Sequence, residues 1–154
     1  MAQSVLGSLS LHYRAFWSRK RQLAGVQLFV GEASSGADGG HLLRTIAELW
    51  DAQSPQLLIS AATPELLDGV LAHADARAPL IDVPVEWMDR PATAMAVRRA
   101  HAHSASLIAS RDAATLSGRG WGNLFTRSCV VLGETDAALA LRAALQLREH
   151  AARG

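Results

Sequence analysis

The chain has 154 residues, 15 Lys and Arg against 14 Asp and Glu, a formal net charge of +1, and 49% hydrophobic residues. Near-neutral charge removes the electrostatic argument for a nucleic-acid polymer or an anionic membrane surface. The apolar content excludes a disordered chain, and the length suits one domain with a single core.

Charged residues make up only 19%, a low share that fits a surface partly covered by a partner. One cysteine, Cys129, rules out an internal disulfide, and its place in the apolar run 129–132 predicts a buried, inert thiol. No apolar stretch reaches the roughly 18–20 residues of a membrane span. No basic region followed by an apolar one opens the chain, so a reducing cytoplasm is the expected compartment.

In chain order, residues 9–17 (LHYRAFW at its end) read as a strand rich in large apolar and aromatic side chains. Residues 25–30, GVQLFV, read as another. The short basic link Ser18-Arg19-Lys20-Arg21 suits an antiparallel hairpin. Residues 34–40, SSGADGG, predict a flexible loop. A helix follows with Leu42, Leu43, Ile46, Leu49 and Trp50 on one face.

Residues 57–61, LLISA, predict a strand buried on both faces. Thr63-Pro64-Glu65 starts a helix with a threonine cap, proline at the first position and an acid in the first turn. Its apolar stripe is Leu66, Leu67, Val70, Leu71 and Ala74. The unit repeats: strand 80–85, an alanine-rich helix from about Pro91 to Ala102, and strand 106–110. A Gly-rich break at 117–123 precedes a strand at 129–133 and a helix at about 136–151. This alternation predicts parallel strands with helical crossovers behind an opening hairpin, in one α/β domain over residues 1–154.

Those residues carry a resemblance. A parallel α/β barrel opening with an antiparallel hairpin is the architecture of cyclic-di-GMP phosphodiesterase domains of the EAL family, and LHYRAFW followed by Gly25-Val26-Gln27-Leu28-Phe29-Val30-Gly31 resembles that family's first strands. It implies an incomplete or degenerate TIM-type barrel, similar to the inactive EAL-like region that precedes HDOD modules. On this matching Gln27 stands for the signature glutamate and Gly31 for the arginine that contacts the dinucleotide. Ser60 stands where the family has a metal-binding Asn. Asp82 keeps one acid of the next motif, while Val85 replaces its second. Ala109 and Ser110 occupy the paired-aspartate positions, and Asp112 lies too late.

Phosphodiester hydrolysis with Mg²⁺ needs hard oxygen ligands, mostly carboxylates. One remaining carboxylate cannot hold such a metal, so the resemblance implies no catalytic residue, no metal and no cofactor. The missing arginine argues against binding cyclic-di-GMP. The expected function is a bacterial, non-catalytic regulatory or scaffolding protein acting through protein–protein interaction. The alternative is a sensor that binds cyclic-di-GMP without hydrolysing it. A third reading is an enzyme using an unrelated pocket at the C-terminal ends of the strands.

Other constellations are plainer. His101 and His103 suit a solvated helix end rather than a metal pair. The glycines at 36–40 lack the lysine of a phosphate loop. Arg119 and Trp121 are candidate contact residues, an ordered loop packing its own tryptophan being the other reading. Six strands fall short of the eight that close a barrel. Two open sheet edges would remain, and a second copy or a protein partner is expected at an edge or on the C-terminal helix.

Overall fold

Strand β1 (Leu9–Trp17) alternates apolar Leu9, Leu11, Tyr13 and Ala15 with polar Ser10, His12 and Arg14. That period of two sends the polar set to one face. β1 pairs antiparallel with β2 (Leu23–Glu32), setting Arg14 opposite Gln27, His12 opposite Phe29 and Ser10 opposite Gly31. The computed structural model describes residues 9–17, 20, 22–32, 38–111 and 120–128. The strand expected at 129–133, the helix at 136–151, Arg119, Cys129 and Asp112 lie outside these.

Three parallel strands follow: β3 (Gln56–Ala61), β4 (Leu80–Pro84) and β5 (Leu107–Ser110). A two-residue strand, β6 (Arg127–Ser128), pairs parallel with β5. The order across the sheet is sequential, β1 to β6. Every residue of β4 and β5 is buried, as is β3 after its first. That accounts for their continuous apolar runs.

The crossovers are α1 (Gly39–Leu49), α2 (Pro64–Leu71) and α3 (Pro91–Ala102). Leu42, Ile46, Leu66, Leu67, Val70 and Val97 from these helices share one core with Leu57, Ile59, Ile81, Val83 and Leu107 of the strands. The alternate strand positions, Leu58, Leu80 and Ile108, form a separate cluster with Phe16. The helices thus pack on one face, and the polar residues described below share the other. Sequential order with crossovers of one hand produces this one-sided arrangement, whereas a doubly wound sheet reverses direction to cover both faces. No helix among the described residues is long and apolar enough to cross a membrane.

Several local expectations hold. The Thr63 hydroxyl accepts from the Leu66 N–H at 3.3 Å, and the predicted stripe of α2 through Ala74 is buried. Arg90, at the start of α3, pairs with Glu65 at 2.7 Å and Asp68 at 3.9 Å, tying α3 to α2. His101 is exposed, and the His103 ring nitrogen Nδ1 lies 2.8 Å from the Arg99 carbonyl oxygen at the helix end.

Others need correction. Leu49 is 73% exposed, because α1 ends there and its inner face is complete at Ile46. Trp50 caps the helix and donates its indole N–H to the Pro55 carbonyl at 2.6 Å. Val85 leaves the strand after Pro84 and begins a short 3-10 helix, Val85–Asp89. Gly39 and Gly40 are not a loop. They form the buried first turn of α1, with the Asp38 side chain accepting from the Gly40 N–H at 2.9 Å.

Gly39 is required by close approach: a Cβ there would meet the backbone of Gly69 and Val70 in α2. Gly39→Ala is therefore expected to destabilise the fold by about 1–3 kcal/mol, despite the roughly 1 kcal/mol that alanine gains in helix propensity. Gly122→Ala meets open space and should change stability little. Urea denaturation of both variants measures this; equal stability would show that α1 and α2 are not in this contact.

Candidate functional site

Four neighbouring strands each contribute one polar side chain to the face away from the helices. Arg14 Nε donates to Gln27 Oε1 at 2.8 Å. Gln27 Nε2 donates to Ser60 Oγ at 2.8 Å. Ser60 Oγ donates to Asp82 Oδ2 at 2.7 Å. The direction of this chain is forced. A guanidinium can only donate, so the Gln27 oxygen must face Arg14 and its NH₂ must face Ser60. The Ser60 hydroxyl then accepts from Gln27 and spends its own hydrogen on Asp82.

Register explains the convergence. Ser60 lies directly opposite Asp82 across β3 and β4, and Arg14 directly opposite Gln27 across β1 and β2. Gln27 sits two residues before Phe29, the partner of Ser60, so it reaches across diagonally on the same face. Gln27, Ser60 and Asp82 are all buried.

Burial pushes the Asp82 carboxyl up from its ordinary value; the Ser110 and Ser60 hydroxyls, and then the Arg111 charge, pull it back down. Ser110 thus stands close enough to favour the carboxylate. Yet neither Ser110 Oγ nor Asp82 Oδ1 makes a hydrogen bond among the described residues. Both residues line a cavity of about 310 Å³ at the C-terminal ends of β2 to β5. Gln27, Gly31 and Ser60 line it too, with Ser10, His12, Arg14 and Arg111. Arg14 stacks on Phe29 at 5.1 Å. Arg111 pairs with Glu86 at 2.6 Å and stacks on Trp87 at 5.6 Å. Its φ of 58° is a left-handed conformation uncommon for a side chain of this kind.

A larger open groove, about 680 Å³, runs along α1 and the starts of β3 and β4. Its lining includes none of the buried, unpartnered polar atoms among the described residues, so the smaller cavity is the stronger candidate site.

Five of the seven positions singled out from sequence therefore meet: Gln27, Gly31, Ser60, Asp82 and Ser110. Val85 and Ala109 do not. They are buried and pack together with Trp121 and Phe125. Ala109 alternates to the other face from Ser110, and Val85 lies beyond its strand. Trp121 is partly buried and packs against that pair. Ser10, His12, Arg14 and Arg111 were missed. The apolar–polar alternation of β1 from Leu9 to Ala15 is the available signal for the first three.

The donor set fits a divalent cation poorly. Mg²⁺ takes hard oxygen ligands, carboxylates above all, and here an amide and a hydroxyl are already bonded to each other beside one carboxylate. Among the described residues no three His, Cys, Asp or Glu are placed to hold a metal ion. Beside Gly31, the Ser10 hydroxyl occupies the space a side chain would need. Comparison with family models, with curated proteins and with solved structures finds no match.

A raised acid pKa means that, between the unfolded value of 3.8 and the folded one, the folded state binds more protons than the unfolded. Stability contributed by protonated Asp82 is full below 3.8 and is lost as pH rises through the folded pKa. Asp82→Asn keeps an acceptor for Ser60 and removes the charge. It should be more stable than wild type near neutral pH, with the gap closing in acid; a gap independent of pH would disprove the assignment. Ser60→Ala orphans Gln27 Nε2 and Asp82 Oδ2 and should cost roughly 1–3 kcal/mol for each, again read by urea denaturation.

Proposed function

We propose that this chain is a non-catalytic regulatory or scaffolding domain that acts by holding another protein or a second copy of itself. On this reading it is similar to the degenerate EAL-type domains, and its sheet is part of an incomplete barrel. The carrying observation is the closed chain from Arg14 to Asp82. At the positions where an EAL-type phosphodiesterase directs ligands inward to a metal, these side chains bond sideways to one another. The sequential, one-sided sheet supports the barrel reading, since that winding curls toward closure.

The surface that supports the interaction reading is β1. Among the described strands it pairs only with β2. It contains neither lysine nor proline, the usual guards of an exposed edge. The hairpin also leaves large apolar side chains in solvent: Tyr13 at 79%, Trp17 at 66%, Leu23 at 48% and Leu11 at 40%. Together they give an unpaired backbone edge beside apolar side chains, the combination used in strand addition.

Two outcomes are expected. Cyclic-di-GMP incubated with the protein and Mg²⁺ is not hydrolysed above the buffer rate, and Gln27→Glu does not restore hydrolysis, because the new carboxylate would compete with Asp82 for the single Ser60 hydrogen. Turnover by the wild-type protein would refute the non-catalytic reading. By light scattering, the purified protein is heavier than one chain, and Tyr13→Lys with Trp17→Lys returns it to monomer. A wild-type monomer that captures no partner through β1 would refute the interaction reading.

A further inference from the structure

The hydrogen-bond chain ends on one oxygen of Asp82 and leaves the other. Asp82 is 8% exposed and Ser110 6% exposed, and Asp82 Oδ1 and Ser110 Oγ both lack a partner among the described residues. Buried polar atoms are nearly always hydrogen-bonded in folded proteins. The Ser110 hydroxyl stands near enough to Asp82 to favour its carboxylate, but a hydroxyl brings no countercharge to a buried acid. Both residues line the 310 Å³ cavity, near the lower end of the range for small-molecule sites (roughly 300–1,000 Å³).

The cavity is polarised. Its floor presents the Asp82 carboxylate and a hydroxyl. Arg14 and Arg111 on its lining are cations, with His12 beside them as a further polar side chain. The two arginines do not neutralise the floor directly. Arg14 gives its Nε to Gln27, and Arg111 is held at 2.6 Å by Glu86. A cation seated against Asp82 Oδ1 would bring a charged donor into direct contact with the acid, whereas Arg14 bonds Gln27 and Arg111 bonds Glu86. An anion at the other end of the same molecule would meet Arg14, Arg111 and His12. Phe29 and Pro84 give the space between an apolar wall.

We propose that this cavity binds a small zwitterion of the amino-acid class, its ammonium on Asp82 Oδ1 and Ser110 Oγ and its carboxylate toward Arg14 and Arg111. The site goes beyond the non-catalytic reading and does not depend on it: hydrolysis of cyclic-di-GMP would overturn that reading and leave this one standing.

The 154-residue chain is titrated with each of the standard amino acids and followed by backbone amide NMR. Saturable shifts centred on residues 60, 82 and 110 are expected with at least one of them. Ethylamine and acetate, each carrying half of the zwitterion, should bind at least about tenfold more weakly, as should the cognate amino acid to Ser110→Ala. Asp82→Asn, which retains the Ser60 contact, should abolish binding, and Arg111→Gln should weaken it. No saturable shift with any amino acid overturns the proposal, as does binding unchanged in Asp82→Asn. Ethylamine binding as tightly as the amino acid overturns the carboxylate end.

Discussion

A carboxylate in the middle of a parallel sheet constrains everything around it. Asp82 lies on β4, which is buried along its whole length. An isolated buried charge is expensive, and a protein tolerates it only where donors are aimed at it. Here the donors come in series. Each group in the run Arg14, Gln27, Ser60 hands its hydrogen toward the acid, so the positive end lies at the rim and the negative end at the centre. Hydrogen bonds aligned in this way polarise one another. The two ends are connected by three bonds, so Arg14 acts on Asp82 through the intervening groups and not by direct contact.

That lane also fixes the register of the first four strands. Side chains alternate with a period of two, so a one-residue slip of any strand would turn its polar member toward the helices and an apolar residue toward the lane. The helix-side core penalises the same slip, because Ile59, Ile81 and Val83 would trade places with Ser60, Asp82 and their neighbours. Core and lane therefore select one pairing from opposite faces. The free hydroxyl and oxygen of the lane lie where the strands end, which is where parallel sheets with one-sided helices place their ligands. β1 carries the opposite balance: registered on β2 by Arg14, yet without a second strand partner among the described residues.

Much of the fold was legible because its signals are local. The cap Thr63, the proline at position 64 and the stripe Leu66 to Leu71 carry α2 without reference to anything distant. The apolar runs of β3, β4 and β5 announce burial on both faces. Expectations failed where a distant partner decides. Gly39 and Gly40 look like loop residues until Gly69 and His73 approach them across a helix crossing. Ala109 and Ser110 are adjacent in sequence, yet pleating sends one into the core and the other to the cavity. Trp121 packs on Val85 and Ala109, which lie 36 and 12 residues before it in the chain. The positions of Gln27, Ser60 and Asp82 were readable from the order of strands. Their bonding was not, because it depends on a diagonal reach between β2 and β3 and on Arg14 from the strand before.

The glutamine at position 27 has a specific physical role. It stands between a group that only donates and a hydroxyl that must keep its hydrogen for Asp82. The side chain there has to accept on one side and donate on the other, at the reach of two methylenes. An amide does both. A carboxylate would only accept, and would draw the Ser60 hydrogen away from Asp82. An ammonium would only donate, and would face Arg14 as a like charge. An aliphatic side chain would leave Ser60 without its donor. Asparagine has the right chemistry and is one methylene short. Within this sheet the identity of Gln27 follows from the direction in which hydrogens must run, and that direction is set by the guanidinium at one end and the buried acid at the other.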